Sequence, residues 1–226
     1  MEHSKELADI YALGFLPYSS DLTKSSDLFY LCRSVRVDLE RFEDTSENRR
    51  VDRKISPLTI TETLIPKEVF NLHDEHFVLM IHAYSAERFQ GGNMSLDRLA
   101  YIFSRSYVTH VLVYSTKSEK IAYVLLGLSG GSMHYYYSFF NTNYLSEFSL
   151  GKWLMWKSLH IAKEQGIRYV YLGTCYGEKS LYKVRDHKGV EFFDGTSWNT
   201  DSTVISRLTQ HDAKESPDVD QFKRPI

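Results

Sequence analysis

Residues 109–173 constrain this chain more than any other segment, because the hydrophobic period changes there in a fixed order. Residues 109–114, 121–128 and 133–140 read as three strands rich in Val, Leu, Tyr and Phe. Lys117-Ser118-Glu119 and Gly130-Gly131 supply short turns between them, so neighbouring strands run antiparallel. A helix is expected over 150–165, closed by Gly166, a residue that accepts the left-handed conformation after a last turn. Its apolar residues do not keep to one face. Leu150, Leu154 and Ile161 mark one stripe, while Met155, Trp156 and Leu159 fall elsewhere. A helix that is apolar on more than one side is central to its domain. Residues 169–173 follow as a buried strand and 191–193 as a shorter one. Such an order makes a mixed α+β domain.

The remainder divides around that core. A short helix is expected over 6–13, ended by Gly14, and a Ser/Asp-rich connection runs on to Asp27. Strand patterns cover 28–31, 35–42 and 58–65, the last stopped by Pro66. Residues 74–89 and 95–104 read as helices separated by Gly91-Gly92, with Ser95 as N-cap and Asp97 in the first turn. From His211 onward the chain is polar, carries Pro217 and Pro225, and is expected to be loosely ordered. The division expected is a small β-containing amino-terminal subdomain (1–66), a main domain (67–210) and a tail (211–226).

A length of 226 residues is ample for a buried core. The 27 basic and 29 acidic residues leave a net charge of −2, which excludes a generic polyanion trap, so contact with nucleic acid must come from a local patch. Two cysteines, Cys32 and Cys175, are too few for a disulfide framework or a four-thiolate centre, and no metal is expected. The opening MEHSKELADIYALGF lacks the apolar centre of a signal peptide, and no apolar run is long enough to span a bilayer. A cytoplasmic chain with reduced thiols and no membrane partner is the expectation.

A local cationic patch lies between residues 32 and 54, in CRSVRVDLERFEDTSENRRVDRK. Val35-Arg36-Val37-Asp38-Leu39 alternates as a half-buried strand does. After a polar turn, the spacing of Arg49, Arg50, Arg53 and Lys54 puts them on one side of a helical turn. Four like charges that close repel one another unless an anion sits among them, which suits a carboxylate or phosphate ligand. A solvated turn balanced by Glu40, Glu43, Asp44 and Glu47 accounts for them equally well.

This block resembles the amino-terminal region of arginyl-tRNA–protein transferases and of the bacterial aspartate/glutamate leucyl-tRNA–protein transferases. That family carries C-x-P-x-R-V-x-V-x-x-F, a Ser/Arg-rich turn and R-R-x-x-R-K/N. Cys32, Arg36, Val37, Leu39, Phe42, Arg49, Arg50, Arg53 and Lys54 fall on it without a gap, with Ser34 in place of the proline. A second stretch, FSLGKWLMWKSLHIAKEQGIRYVYLGTCYGEKSLYK, is similar to the family's S-L-G, helix, Y-x-Y-L-G strand and K-M-R-Y-K series. Lys179, Tyr182 and Lys183 take the positions of that last motif, after a loop two residues shorter. The family's cluster of amino-terminal cysteines is reduced here to Cys32, so a metal or redox role carried by that cluster is not expected.

The resemblance implies a divergent member with the acetyltransferase-like (GNAT) fold, whose core order is the one read from residues 109–173. It implies an enzyme that moves Arg or Leu from charged tRNA to the amino terminus of proteins beginning with Asp or Glu. Aminoacyl-tRNA would be the co-substrate, with no other cofactor. Lys179, Tyr182 and Lys183 would contribute donors to the oxyanion or contacts to the acceptor end of the tRNA. Arg36, Arg49, Arg50, Arg53 and Lys54 would hold the acceptor carboxylate or tRNA phosphate. Tyr135, Tyr137, Asp186 and Glu191 are candidates for the donor pocket, the two acids being the partners a transferred arginine would need. Both cationic groups are expected at the mouth of one cavity.

The residues allow two rival readings. Acetyltransferases of this fold bind coenzyme A through R/Q-x-x-G-x-G/A ahead of the central helix, where bare backbone amides reach the pyrophosphate. Here that loop is Leu145-Ser146-Glu147-Phe148-Ser149-Leu150-Gly151, with one glycine, no preceding Arg and an acidic residue in the way. An N-acyltransferase using acyl-coenzyme A is thus the second reading, and a non-catalytic module that binds protein amino termini or tRNA is the third. Smaller features take ordinary roles. His73-Asp74-Glu75-His76 suits a charged helix start better than a metal half-site. Tyr135-Tyr136-Tyr137 suits a packed strand more than a base-stacking platform. Cys175 reads as a small buried hydrophobe, and Trp198, after an Asp-Gly turn, as an anchor for the carboxy-terminal segment.

Overall fold

A computed structural model describes residues 2–89, 94–212 and 223–225. In chain order it begins α1 (Glu2–Ala12), β1 (Phe15–Pro17), β2 (Leu28–Leu31), β3 (Ser34–Asp38), α2 (Ser46–Ile55) and β4 (Thr61–Pro66). It continues with α3 (Glu75–Arg88), α4 (Leu96–Phe103), β5 (His110–Ser115), β6 (Lys120–Ser129), β7 (Ser132–Phe140), α5 (Leu145–Phe148) and α6 (Leu150–Glu164). The last elements are β8 (Tyr169–Thr174), α7 (Tyr182–Arg185), β9 (Val190–Phe193), β10 (Trp198–Asn199), α8 (Ser202–Asp212) and β11 (Lys223–Pro225).

Strands β5, β6 and β7 form the antiparallel meander, as expected, inside an eight-stranded sheet of order β10-β9-β3-β8-β7-β6-β5-β4. Every pairing in it is antiparallel except β7 with β8. That exception follows from the connection: a strand that returns through a helix, here α6, re-enters the sheet parallel. A second, three-stranded sheet of order β1-β2-β11 sits apart from it.

The large sheet buries both faces. On one, Val35, Val37, Val124, Leu126, Met133, Tyr135, Val170 and Leu172 pack with Leu154 and Leu159 of α6 and with Val51 and Ile55 of α2. On the other, Val111, Val113, Tyr123, Leu125, Phe139 and Tyr171 pack with α1, α3 and α4 through Tyr11, Phe77, Ile81, Leu99 and Ile102. Helix α6 is buried along several sides, at Trp153, Leu154, Met155, Trp156, Ser158 and Leu159, as its sequence required.

The cationic block is the first turn and body of α2. Thr45 caps it, accepting from Asn48 N while the Asn48 side chain takes the Thr45 amide, a capping box. The indoles of Trp153 and Trp156 fix its place by donating to Asp52 Oδ1 (3.1 Å) and Asp44 Oδ1 (2.7 Å). Asp38 ends β3 earlier than the expected 42, because its carboxylate takes the Glu40 amide in a tight turn and the guanidinium groups of Arg41 and Arg168.

Two expectations need correction. Residue 66 is no fold boundary, since β3 lies inside the large sheet between β8 and β9 and β4 forms its far edge. A segment near the amino terminus completes the core because β3 offers two ladder edges and β8 and β9 need a partner between them. Nor is the tail one piece: residues 202–212 are the unpredicted helix α8, and β11 pairs with β2. Residues 213–222, and the Gly91-Gly92 separator, lie outside the described residues.

Arg36 is a structural residue of this sheet. Only 9% exposed, its guanidinium lies between the rings of Tyr169 (4.1 Å) and Trp198 (3.9 Å). Its Nε donates to Glu191 Oε2 at 2.7 Å, and Arg41 pairs with the same carboxylate. Trp198 in turn donates to the Ala12 carbonyl (2.7 Å), tying the end of α1 to the sheet. Removing one partner of a buried pair leaves the other charge without compensation. Glu191→Ala should therefore lower unfolding stability by ~3 kcal/mol, read from urea denaturation midpoints, and Arg36→Met in the same chain should restore part of that loss.

Candidate functional site

Strands β7 and β8 pair only at Ser132–Tyr169, Met133–Val170 and His134–Tyr171. Beyond those positions they diverge, and the gap is a cavity of about 640 Å³. Tyr135 to Ser138 and Phe140 line it from β7, and Leu172, Gly173 and Thr174 from β8. Two local devices open it. The register of β7 on β6 slips at Leu125–Tyr137 and Leu126–Tyr135, so Tyr136 is an extra, bulged residue. Gly173 has φ +85°, a left-handed conformation that favours glycine and turns the end of β8 away.

The cavity crosses the sheet. On the α6 face its walls are Leu145, Ser149, Gly151, Lys152 and Met155, with Tyr182 and Lys183 of α7 and Lys179 of the 3₁₀ turn Glu178–Ser180. On the other face they are Leu16 to Ser20, Tyr30, His134 and Arg98. The amino terminus of α6 opens onto the first side. Ser149 there has φ 55° and makes no side-chain cap; its carbonyl takes the Lys152 and Trp153 amides, which leaves those of Leu150 and Gly151 without partners inside the helix. A Cβ on Gly151 would lie 3.0 Å from Phe140, so glycine keeps the helix start close to β7.

Lys183 sits in the throat. Its Nζ donates to the Thr174 carbonyl at 2.9 Å, and a Cβ on Gly173 would be 3.4 Å from that amine. Desolvation pulls its pKa from 10.5 down to about 8, with Cys175 and Cys32 opposing. His134 is 2% exposed; burial first and the Lys183 charge second hold it neutral, at about 3. Tyr182 is pushed up to about 12 by burial, so its hydroxyl keeps its proton. Arg98 Nη2 donates to Tyr137 Oη at 3.3 Å. Lys152 is shared by Glu47 Oε1 (3.2 Å) and Asp186 Oδ2 (2.7 Å). Among the described lining residues Arg88, Arg98, Lys152, Lys179 and Lys183 are basic, and none is Asp or Glu.

Of the residues singled out in the sequence, the structure brings Lys179, Tyr182, Lys183, Tyr135 and Tyr137 together in this cavity. Arg36, Arg49, Arg50, Arg53, Lys54, Asp186 and Glu191 do not line it. The expected joint mouth is therefore corrected: Arg36 is locked under Trp198, Arg50 chelates Glu47 through Nε and Nη2 (2.7 and 2.8 Å), and Arg49 donates to the Asp44 carbonyl (2.8 Å). Arg53 and Lys54 are exposed on α2, Lys54 donating to the Glu147 carbonyl. Asp186 and Glu191 are taken by Lys152 and by Arg36 with Arg41. The missed lining cations are Arg88, Arg98 and Lys152; only Lys152, directly after the quoted S-L-G, carried a signal in the sequence.

The minor features have plain places. Asp74 caps α3, accepting from Phe77 N at 2.9 Å, and His76 pairs with the Tyr123 hydroxyl at 3.1 Å. Both thiols are buried, and burial raises their pKa values, which disfavours thiolate chemistry. Among the described residues no helix is long and apolar enough to cross a membrane.

The desolvated amine makes a thermodynamic prediction. Below pH 8 both folded and unfolded chains carry the Lys183 charge, and the folded state bears the full cost; between about 8 and 10.5 the folded chain loses its proton first. Lys183→Met should therefore raise stability at pH 7 by on the order of 2 kcal/mol, with the advantage shrinking as pH rises from 8 to 10.5 in thermal melts.

Comparison with known proteins gives four likenesses. Residues 70–184 match the model of the acetyltransferase (GNAT) domain. The aspartate/glutamate leucyltransferase of Ruegeria pomeroyi is 26% identical over 193 residues, covering 82% of this chain and 67% of that protein. Among solved structures, L-PGS from Bacillus licheniformis superposes with a TM-score of 0.54 at 12% identity, covering 90% of this chain and 69% of that one. FemX does so with a TM-score of 0.51 at 10% identity, covering 90% and 70%. The chain thus spans 67–70% of the length of these three proteins.

Proposed function

The chain belongs to the acetyltransferase (GNAT) domain family, and we propose that it transfers an aminoacyl group from aminoacyl-tRNA to the α-amine of a protein beginning with Asp or Glu. The observation that carries this reading is the cavity through the sheet, cationic on both faces and free of carboxylates among its described lining residues. The leucyltransferase likeness supports the same reading.

Cations and unpaired helix amides suit the phosphates of a tRNA acceptor end, and the many tyrosines suit its bases. A transferred arginine would need a carboxylate beside its side chain. The described walls hold none, while Tyr135, Phe140, Met155 and Leu172 offer an apolar surface. Leucine is therefore the favoured donor residue over arginine.

The ester of an aminoacyl-tRNA is already activated, so no covalent enzyme intermediate is required; the site must align an amine, relieve it of a proton and balance the charge that develops. The amine nitrogen bonds to the ester carbonyl carbon, and the bond to the ribose oxygen breaks. Lys183, with its pKa near 8, takes the proton from the attacking nitrogen and returns it to the leaving oxygen. The Tyr182 hydroxyl, protonated throughout, donates to the oxyanion. Main-chain groups of the bulge at Tyr136, facing the gap where β8 has turned away, add to that charge balance.

An acyl-coenzyme A donor is the second reading, favoured by the open amino terminus of α6 with Lys152 and Lys179 beside it. A single assay separates the two. The protein is incubated with charged tRNAs, or with acyl-coenzyme A, together with peptides beginning with Asp, Glu, Asn or Ala, and peptide masses are read. A gain of one leucyl residue on the Asp and Glu peptides is expected. Gain only from acyl-coenzyme A refutes the tRNA donor, and binding without gain from either refutes catalysis. Lys183→Met should lower kcat/KM by at least about 100-fold, and the wild-type profile should rise with pH to a plateau above about 8.

A further inference from the structure

Several of the partly buried cations of this molecule are answered by carboxylates. Arg36 has Glu191, Arg50 has Glu47, Arg33 has Asp212 and Lys152 has Asp186. Arg98 is different. It stands in the first turn of α4, fixed there by the Ser95 cap, whose hydroxyl accepts from Arg98 N at 3.2 Å, and by the burial of Leu99 and Ile102 beside it. Its side chain lines the cavity. Nη2 donates to the Tyr137 hydroxyl at 3.3 Å, and Nε is buried with no acceptor. Among the described residues no carboxylate pairs with it. A guanidinium keeps its charge at every working pH. Half-buried, with Nε out of reach of water and no counter-ion among the described residues, that charge is poorly compensated until a ligand brings one.

Resting on the reaction proposed above, we infer that Arg98 selects the acceptor by receiving the carboxylate side chain of the incoming first residue. Its position decides which anion it meets. Features suited to tRNA phosphate lie on the α6 face: the open helix start and Lys179. Arg98 lies on the opposite face, among Tyr137, Tyr136 and Ser19, the last two joined by a 2.7 Å hydrogen bond. Amine and ester must meet at Lys183 from opposite sides of the sheet, because the donor fills the α6 side. The anion at Arg98 therefore travels with the amine. In Asp or Glu the side-chain carboxylate lies only a few bonds from that amine, and the planar donor fork of arginine matches it bidentately. The cation block on α2, outside the cavity, takes no part in this selection.

The test uses the full chain, with two variants and two readouts. Binding of peptides beginning with Asp and with Asn, identical thereafter, is measured by calorimetry without any tRNA, and transfer is measured with leucyl-tRNA. Wild type should prefer the Asp peptide by roughly 10- to 100-fold. Arg98→Gln should bring the two peptides within about threefold of each other while leaving the melting temperature near wild type. Arg98→Lys, which keeps the charge but not the fork, should fall between them and serves as the readout if the glutamine variant does not fold. An Asp preference that survives in both variants, or is absent from wild type, overturns the assignment even if transfer occurs. An Arg98-dependent preference in a protein that transfers nothing from charged tRNA upholds the assignment and refutes the reaction.

Discussion

Beyond His134 and Tyr171, β7 and β8 leave one another, and main-chain groups that a continuous sheet would satisfy must find partners elsewhere. The structure answers this locally. Lys183 takes one of the stranded carbonyls, that of Thr174, and the tyrosines of the bulge fill the widening gap without closing it. The same divergence desolvates the lysine that it recruits, and desolvation lowers the pKa of an amine. Backbone geometry and candidate chemistry therefore share one cause. The charge that is expensive to keep in the throat is the one that can be shed near neutral pH.

The gap persists because both of its edges are held from outside. Trp153 and Trp156 moor α6 to α2 through Asp52 and Asp44, and Gly151 lets the start of α6 approach Phe140. On the far side, Tyr136 hydrogen-bonds to Ser19, so the segment after β1 forms part of the wall. Widening the gap would break these ties. Narrowing it would press the Tyr135 and Tyr182 rings into space already filled by Tyr84, which lies 4.8 Å from Phe140.

Much of this fold was legible in the sequence because it rests on local periodicity. The three strands of the meander, the many-sided apolar helix and Ser95 as a cap all fall within a residue or two of expectation. The placement of β3 between β8 and β9 was not, since no local signal tells an edge strand from a central one when its neighbours come more than 130 residues later. The site divides the same way. Lys179 lies in a 3₁₀ turn and Tyr182 and Lys183 in the short helix that follows directly, so the three arrive together. Arg88 and Arg98 come from the end of one helix and the start of another, and their meeting with the throat depends on how α3 and α4 pack across the second face. The four cations of α2 were visible as a cluster, but a count of charges does not say which are already matched. Glu47 answers Arg50 three residues away, and the Asp44 carbonyl answers Arg49 five residues away.

A matched cation and an unmatched one differ little in sequence and greatly in energy. Arg36 is buried and Arg98 half-buried, both touch a tyrosine hydroxyl, and both lie on the same side of the large sheet. Arg36 has Glu191 and two aromatic faces, so its charge is neutralised within the protein and it adds to stability. Arg98 has none of these among the described residues, so its half-buried charge, with Nε unpartnered, is left for an anion arriving from outside to answer. A binding site differs from a structural ion pair in that its second half is supplied by the ligand. By that criterion Arg49, Arg50 and Lys54 of α2, which donate to groups of the protein itself, resemble Arg36 more than Arg98, and the ties from α2 to α6 run through the acids Asp44, Glu47 and Asp52.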